Sequence, residues 1–197
     1  MQLGGAWPGT AAAVQVLVLL GAGLLVPAGV AKLRRPADAA DALGWRSARA
    51  HLAVRTIGLG ELALAVAVVA VGGRVAAAAL ASVYLAFAGV ALRQRGRGAS
   101  CGCFGQAEAP AGLLHVAVNV VIAAAAAVAS LGSVPVAVGT HLHDLGTGTG
   151  LLAALVIVVA VATVQQLLTG LPELRAATRR VTLPAPRTAP SGPGGVR

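Results

Sequence analysis

Hydrophobic residues along this chain come in unbroken blocks, without the period-two alternation of a strand or the polar face of a surface helix. The blocks 10–31 (TAAAVQVLVLLGAGLLVPAGVA), 75–92 (VAAAALASVYLAFAGVAL), 112–132 (GLLHVAVNVVIAAAAAVASLG) and 150–168 (GLLAALVIVVAVATVQQLL) contain no Asp, Glu, Lys or Arg. A helix rises about 1.5 Å per residue, so about 20 residues cross a hydrocarbon core of roughly 30 Å. These four blocks have that length or nearly so. A further block, 62–71 (LALAVAVVAV), reaches it only when extended back to Leu52, which takes in Arg55 and Glu61. The pattern predicts an all-α fold: an integral membrane helical bundle of four antiparallel core transmembrane helices plus a fifth, C-terminal one.

Punctuation between the blocks sets the organisation. The first helix is expected from Ala11 to Lys32, with Pro27 near its inner end, a kink that neighbouring helices in a bundle tolerate. Segment 33–51 (LRRPADAADALGWRSARAH) is polar and is expected at the interface, with Trp45 at headgroup level. The second and third helices are joined by Gly-Gly and Arg74, a link so short that it demands a hairpin. Residues 1–132 then form a four-helix membrane domain, 133–170 an external loop with the fifth helix, and 171–197 a basic, Pro- and Gly-rich tail unable to bury a core. Small residues dominate the spans and let helix backbones approach closely.

The composition agrees with this class: 57% of residues are hydrophobic, 11% are charged, and the mean hydropathy is +0.84. The formal net charge of +9 raises the question of nucleic acid. Its distribution argues against that partner, because thirteen of the fifteen Lys and Arg fall in 32–49, 93–97 and 175–197. With five spans, those three segments share one side of the membrane, the positive-inside pattern of a multi-pass protein of the cell inner (plasma) membrane. The expected orientation has the N-terminus outside and the C-terminus cytoplasmic. The leader MQLGGAWPG lacks the charged region of a secretory signal, so the first block reads as an uncleaved helix.

Few positions carry chemistry. Glu61 is an ionisable group within a span and must face the bundle, stay protonated or pair; Lys32, at the inner end of the first helix, is the better partner, since Arg55 lies about 120° round the same helix. GLGELA (58–63) fits a dinucleotide-binding pattern, but no strand precedes it. His115 and Asn119 stand four apart and share a face, so they read as a structural hydrogen-bond pair or as part of a redox or quinone site. His141, His143 and Asp144 are metal-ligand types in a glycine-rich external loop, where a solvated loop is the default and no metal site is assigned.

Both cysteines lie one glycine apart in SCGCFG (100–105). Three readings stand: apolar filler, metal ligands, or a redox pair. A bridge closed over one residue is strained and labile, which suits exchange. Arg93, Arg95 and Arg97 favour the thiolate.

AGVAKL (28–33), GELALA (60–65) and CGCFG (101–105) followed by an apolar helix with Asn119 resemble the methylamine utilisation protein MauE family, within the DoxX-like small membrane proteins. The similarity covers about 12–130, and CGCFG after three spans is its most specific part. The family often has a basic residue before the asparagine, where this chain has Val118. The resemblance implies a membrane thiol–disulfide electron carrier or maturation factor for methylamine dehydrogenase, or for another extracytoplasmic disulfide protein, working with a thioredoxin-like partner. Cys101 and Cys103 would be the redox pair, with Lys32, Glu61, His115 and Asn119 in support. The alternatives are a non-catalytic membrane scaffold and a DoxX-like quinone-linked subunit; membrane lipid is a partner under all three. One tension is internal: the charge pattern puts the cysteine loop on the cytoplasmic side, whereas disulfides are made outside.

Overall fold

The computed structural model describes residues 8–47, 49–97, 112–132 and 155–167. Among them there are helices and turns and no strand. The helices are α1 (Pro8–Arg34), α2 (Pro36–Leu43), α3 (Ala50–Ala70), α4 (Gly73–Arg97), α5 (Leu113–Ser130) and a shorter apolar α6 (Leu155–Leu167). Four of them, α1, α3, α4 and α5, are long and apolar enough to cross a membrane. At 18 residues α5 is about 27 Å long, and at 27 residues α1 is about 40 Å, continuing without a break through Pro27. The span expected over 150–168 appears as α6, about 20 Å, short of the hydrocarbon thickness by itself. The rest of that block, the loop 133–149 and the tail 171–197 lie outside the described residues.

The core forms where α1 meets α3, α4 and α5. Val18 and Leu25 of α1, Val68 of α3, Leu80 of α4 and Ile122 of α5 are fully buried together, and Val161 and Val164 of α6 pack against the same cluster. Gly21 lets α5 reach the axis of α1: a Cβ there would stand 2.6 Å from Ile122 Cγ2. Tyr84 of α4 donates its hydroxyl to the Gly21 carbonyl at 2.7 Å, satisfying the lone tyrosine hydroxyl in this apolar interior. Its ring meets Phe87 edge-on at 5.6 Å. Large apolar side chains such as Leu52, Val66, Val75 and Leu85 point outward, as a lipid-bathed bundle requires. Hydroxyls on the spans bond to their own helix, Thr56 to the Leu52 carbonyl and Ser82 to that of Ala78, so they cost little in hydrocarbon.

The turn between α3 and α4 uses its two glycines as the sequence suggests. Gly72 and Gly73 have φ of 64° and 82°, in the left-handed region, and Gly72 N–H closes the end of α3 on the Ala67 carbonyl. Arg74 donates Nε–H to the Ser130 carbonyl at 2.9 Å, so the start of α4 covers the end of α5.

At the other end of the bundle, segment 33–51 holds a helix that span lengths do not reveal. Pro36 opens α2 at a position where its missing N–H costs nothing, and Gly44, at φ 73°, ends it. Trp45 N–H then bonds back to the Ala40 carbonyl at 2.8 Å. Ala39 and Ala40 of α2 bury against Ala50 and Val54 of α3. Gln94, near the end of α4, donates its amide to the Ala42 carbonyl, one of the helix-end carbonyls that α2 cannot satisfy internally.

Candidate functional site: a buried ion pair between α1 and α3

On α3 the buried positions are Ala50, Val54, Gly58, Glu61, Ala65 and Val68, steps of three and four that draw one stripe down the helix. Glu61 therefore faces the bundle because it shares a face with the packing residues. It is 3% exposed, and Lys32 of α1 is 7% exposed. Lys32 Nζ donates to Glu61 Oε2 at 2.9 Å; Oε1, 2.8 Å from the same nitrogen, is ion-paired with it but takes no hydrogen bond of its own among the described residues. The ammonium also sits 5.3 Å from the centre of the Phe87 ring, a cation–π contact from α4. A lysine two residues from a helix end would ordinarily extend its charge toward water. This one is turned inward, so one contact binds three helices.

Two glycines make the geometry possible. A Cβ on Gly29 would stand 2.7 Å from the Gly58 carbonyl oxygen, and one on Gly58 would stand 2.8 Å from that of Gly29. The backbones of α1 and α3 touch there, and Lys32 and Glu61 each follow three residues later, on the same faces. Among the described residues no group of three or more His, Cys, Asp or Glu could hold a metal.

His115 and Asn119 do not bond side chain to side chain. Asn119 Nδ2 donates to the backbone carbonyl of His115 at 2.8 Å. His115, buried near the start of α5, accepts the Gly112 N–H on Nδ1 at 3.4 Å and so closes the first turn of that helix. The helix-face reading brought these residues to one side, and the unpaired backbone groups at the helix start took the histidine. Cys101 and Cys103, like His141, His143 and Asp144, lie outside the described residues. Of the four candidate residues that are described, the structure pairs Lys32 with Glu61 and links Asn119 to His115.

Gln94 was missed in the sequence because it sits between two arginines in RQRGR. The signal was present. Ala77, Leu80, Ala81, Tyr84, Ala88 and Ala91 are buried at helical spacing, and one more step of three reaches Gln94.

Four helices long and apolar enough to cross a membrane, two of them joined by a buried ion pair, fit a multi-pass helical membrane protein. The family model for methylamine utilisation protein MauE matches residues 10–132, which takes in all but the first two residues of α1, the whole of α2 to α5, the ion pair and the Cys-Gly-Cys segment. The chain belongs to the MauE family. No curated protein and no solved structure matches it.

Proposed function

We propose that the chain is a membrane thiol–disulfide electron carrier or maturation factor whose working groups are Cys101 and Cys103. The observation that carries this reading is the family match, which runs unbroken across both cysteines and the helices on either side of them. The local charge supports it: Arg93 and Arg95 are exposed on the last turns of α4, a few residues before Cys101, and cations near a thiol favour the thiolate. In the reaction, one thiolate of the dithiol attacks a partner's disulfide, whose S–S bond breaks, forming a mixed disulfide and releasing the partner's other sulfur as a thiolate that takes up a proton. The second thiolate displaces the partner's thiol. Two electrons pass to the partner, two protons leave this chain, and a Cys101–Cys103 bridge remains; the reverse sequence oxidises the partner.

The four spans alternate in direction, and α6 is the centre of a fifth. The protein resides in the inner membrane with its N-terminus outside and its basic end cytoplasmic. A thioredoxin-like protein exchanges electrons with the cysteines, and the protein served is methylamine dehydrogenase or another extracytoplasmic disulfide protein. Lys32 and Glu61 hold α1 against α3. His115 fixes the first turn of α5, where the chain returns from the cysteine segment, and Asn119 bonds to the His115 carbonyl one turn on.

Trapping free thiols in membranes with a mass-tagged alkylator, before and after reductant, tests the proposal. The expected result is two added tags on reduction. A membrane-impermeant reagent applied from outside reports the side of the loop. Two tags under every condition, together with full function of Cys101→Ser and Cys103→Ser variants, would overturn it.

A further inference from the structure

The two ends of the bundle differ in how their charge is handled. The end of α1, all of α2, the start of α3 and the end of α4 gather at one end, held by the Lys32–Glu61 pair, the α2–α3 alanine contact and the Gln94–Ala42 hydrogen bond. Arg34 and Arg35, Arg46 and Arg49, and Arg93 and Arg95 are all exposed there. The described residues hold three acids: Glu61 is buried against Lys32, while Asp38 and Asp41 lie on α2 and form no salt bridge with these arginines. Six exposed arginines against two aspartates leave this end positive among the described residues. At the opposite end the described residues carry one basic side chain, Arg74, already committed to the Ser130 carbonyl.

Arg55 sharpens the picture. It lies inside the α3 span, about 7 to 8 Å from the start of that helix, and is exposed, so it faces lipid and not the bundle. A guanidinium there reaches back to the headgroup layer and needs an anion to meet it. Trp45, 41% exposed beside Arg46, places an indole at the same level. We infer that this end of the bundle binds anionic phospholipid, with Arg46, Arg49 and Arg55 engaging the headgroup phosphate. Zwitterionic headgroups carry an ammonium that opposes so dense a set of arginines; a headgroup with a phosphodiester and no amine does not. The inference uses neither cysteine and stands apart from the redox reading.

The chain has two tryptophans, Trp7 and Trp45, so Trp7→Phe leaves Trp45 as a single reporter at the site. The full chain carrying that change, in detergent micelles, is titrated with brominated phosphatidylglycerol or brominated phosphatidylcholine, and quenching of Trp45 is followed. Three arginines at about fivefold each lead to the expectation that the glycerol lipid reaches half-quenching at a mole fraction roughly a hundredfold lower. Each surface arginine near an anionic headgroup is worth about a fivefold change in association, so R46Q/R49Q/R55Q is expected to erase the preference. R74Q, at the other end, should preserve it. Should the triple variant fail to fold, the parent is titrated at about 1 M salt, where charges more than about 3 Å apart are screened and the preference should fall severalfold. Equal quenching by the two lipids overturns the inference. A preference unchanged by salt, or removed as fully by R74Q, also overturns it.

Discussion

Glu61→Gln tests the ion pair that joins α1 to α3. The substitution keeps the volume of the side chain and removes its charge, leaving the Lys32 ammonium buried without its carboxylate. Three magnitudes compete for the cost. An exposed pair contributes about 0–1 kcal/mol. Polar contacts between membrane helices average roughly 0.6 kcal/mol, because the separated helices find other partners in lipid. Breaking a buried pair by removing one member costs roughly 3–5 kcal/mol, because a charge is stranded. Side-chain exposures of 9% for Lys32 and 3% for Glu61 place this pair in the last class. Phe87 offsets some of the stranded charge through its ring face, so the lower part of that range, about 3 kcal/mol, is the expected loss. The assay is reversible unfolding of the purified chain in mixed micelles by increasing denaturing detergent, run as a cycle with Lys32→Met and with both changes together. The double variant strands no charge and should recover much of the loss, keeping the smaller cost of a buried glutamine amide without its partner, about 1–3 kcal/mol. Single variants that each cost under about 1 kcal/mol, with no coupling in the cycle, would refute the reasoning and return the pair to the class of solvated contacts.

Further outcomes are expected elsewhere in the bundle. Gly58→Ala forces a Cβ to within 2.8 Å of the Gly29 carbonyl and should cost about 1–3 kcal/mol, whereas Gly60→Ala, with nothing within 4 Å, should be neutral or slightly stabilising in the same unfolding assay. Tyr84→Phe removes the hydroxyl that bonds Gly21 and should cost about 1 kcal/mol without changing the fold seen by circular dichroism. Gln94→Leu leaves the Ala42 carbonyl without its donor; hydrogen exchange across 36–47 should accelerate while exchange in the centre of α5 stays unchanged.

Three spans were legible in the charge-free blocks 10–31, 75–92 and 112–132, because a helix of membrane length pairs its whole backbone within an apolar segment, whereas the block 150–168 shows only the shorter α6 among the described residues. The interrupted span was legible too: once Arg55 and Glu61 are admitted, α3 follows, and its buried charge seeks the opposite charge of Lys32 across the bundle. Other features depend on facts that the order of residues does not contain. The chain has 26 glycines, and only the docking of α1 on α3 shows that Gly29 and Gly58 touch. α2 is too short to register as a span, and its signals were Pro36 at the first turn and Gly44 after the last. His115 and Asn119 share a helix face in the sequence, but only the structure shows that Asn119 bonds the His115 backbone carbonyl one turn back, as asparagine does when a local acceptor is in reach. The cysteines drew attention by spacing alone, and their chemistry rests on family membership and not on a described geometry.

The thiol–disulfide reading is tested most directly by the redox equilibrium of Cys101 and Cys103. Membranes carrying the full chain are equilibrated in a series of glutathione buffers, quenched by acid, alkylated with a mass tag, and scored for zero or two tags. The account requires a single two-electron transition, tenfold in the ratio of states for about 30 mV, lost in Cys101→Ser and in Cys103→Ser. Two tags at every potential, with no transition, would contradict it.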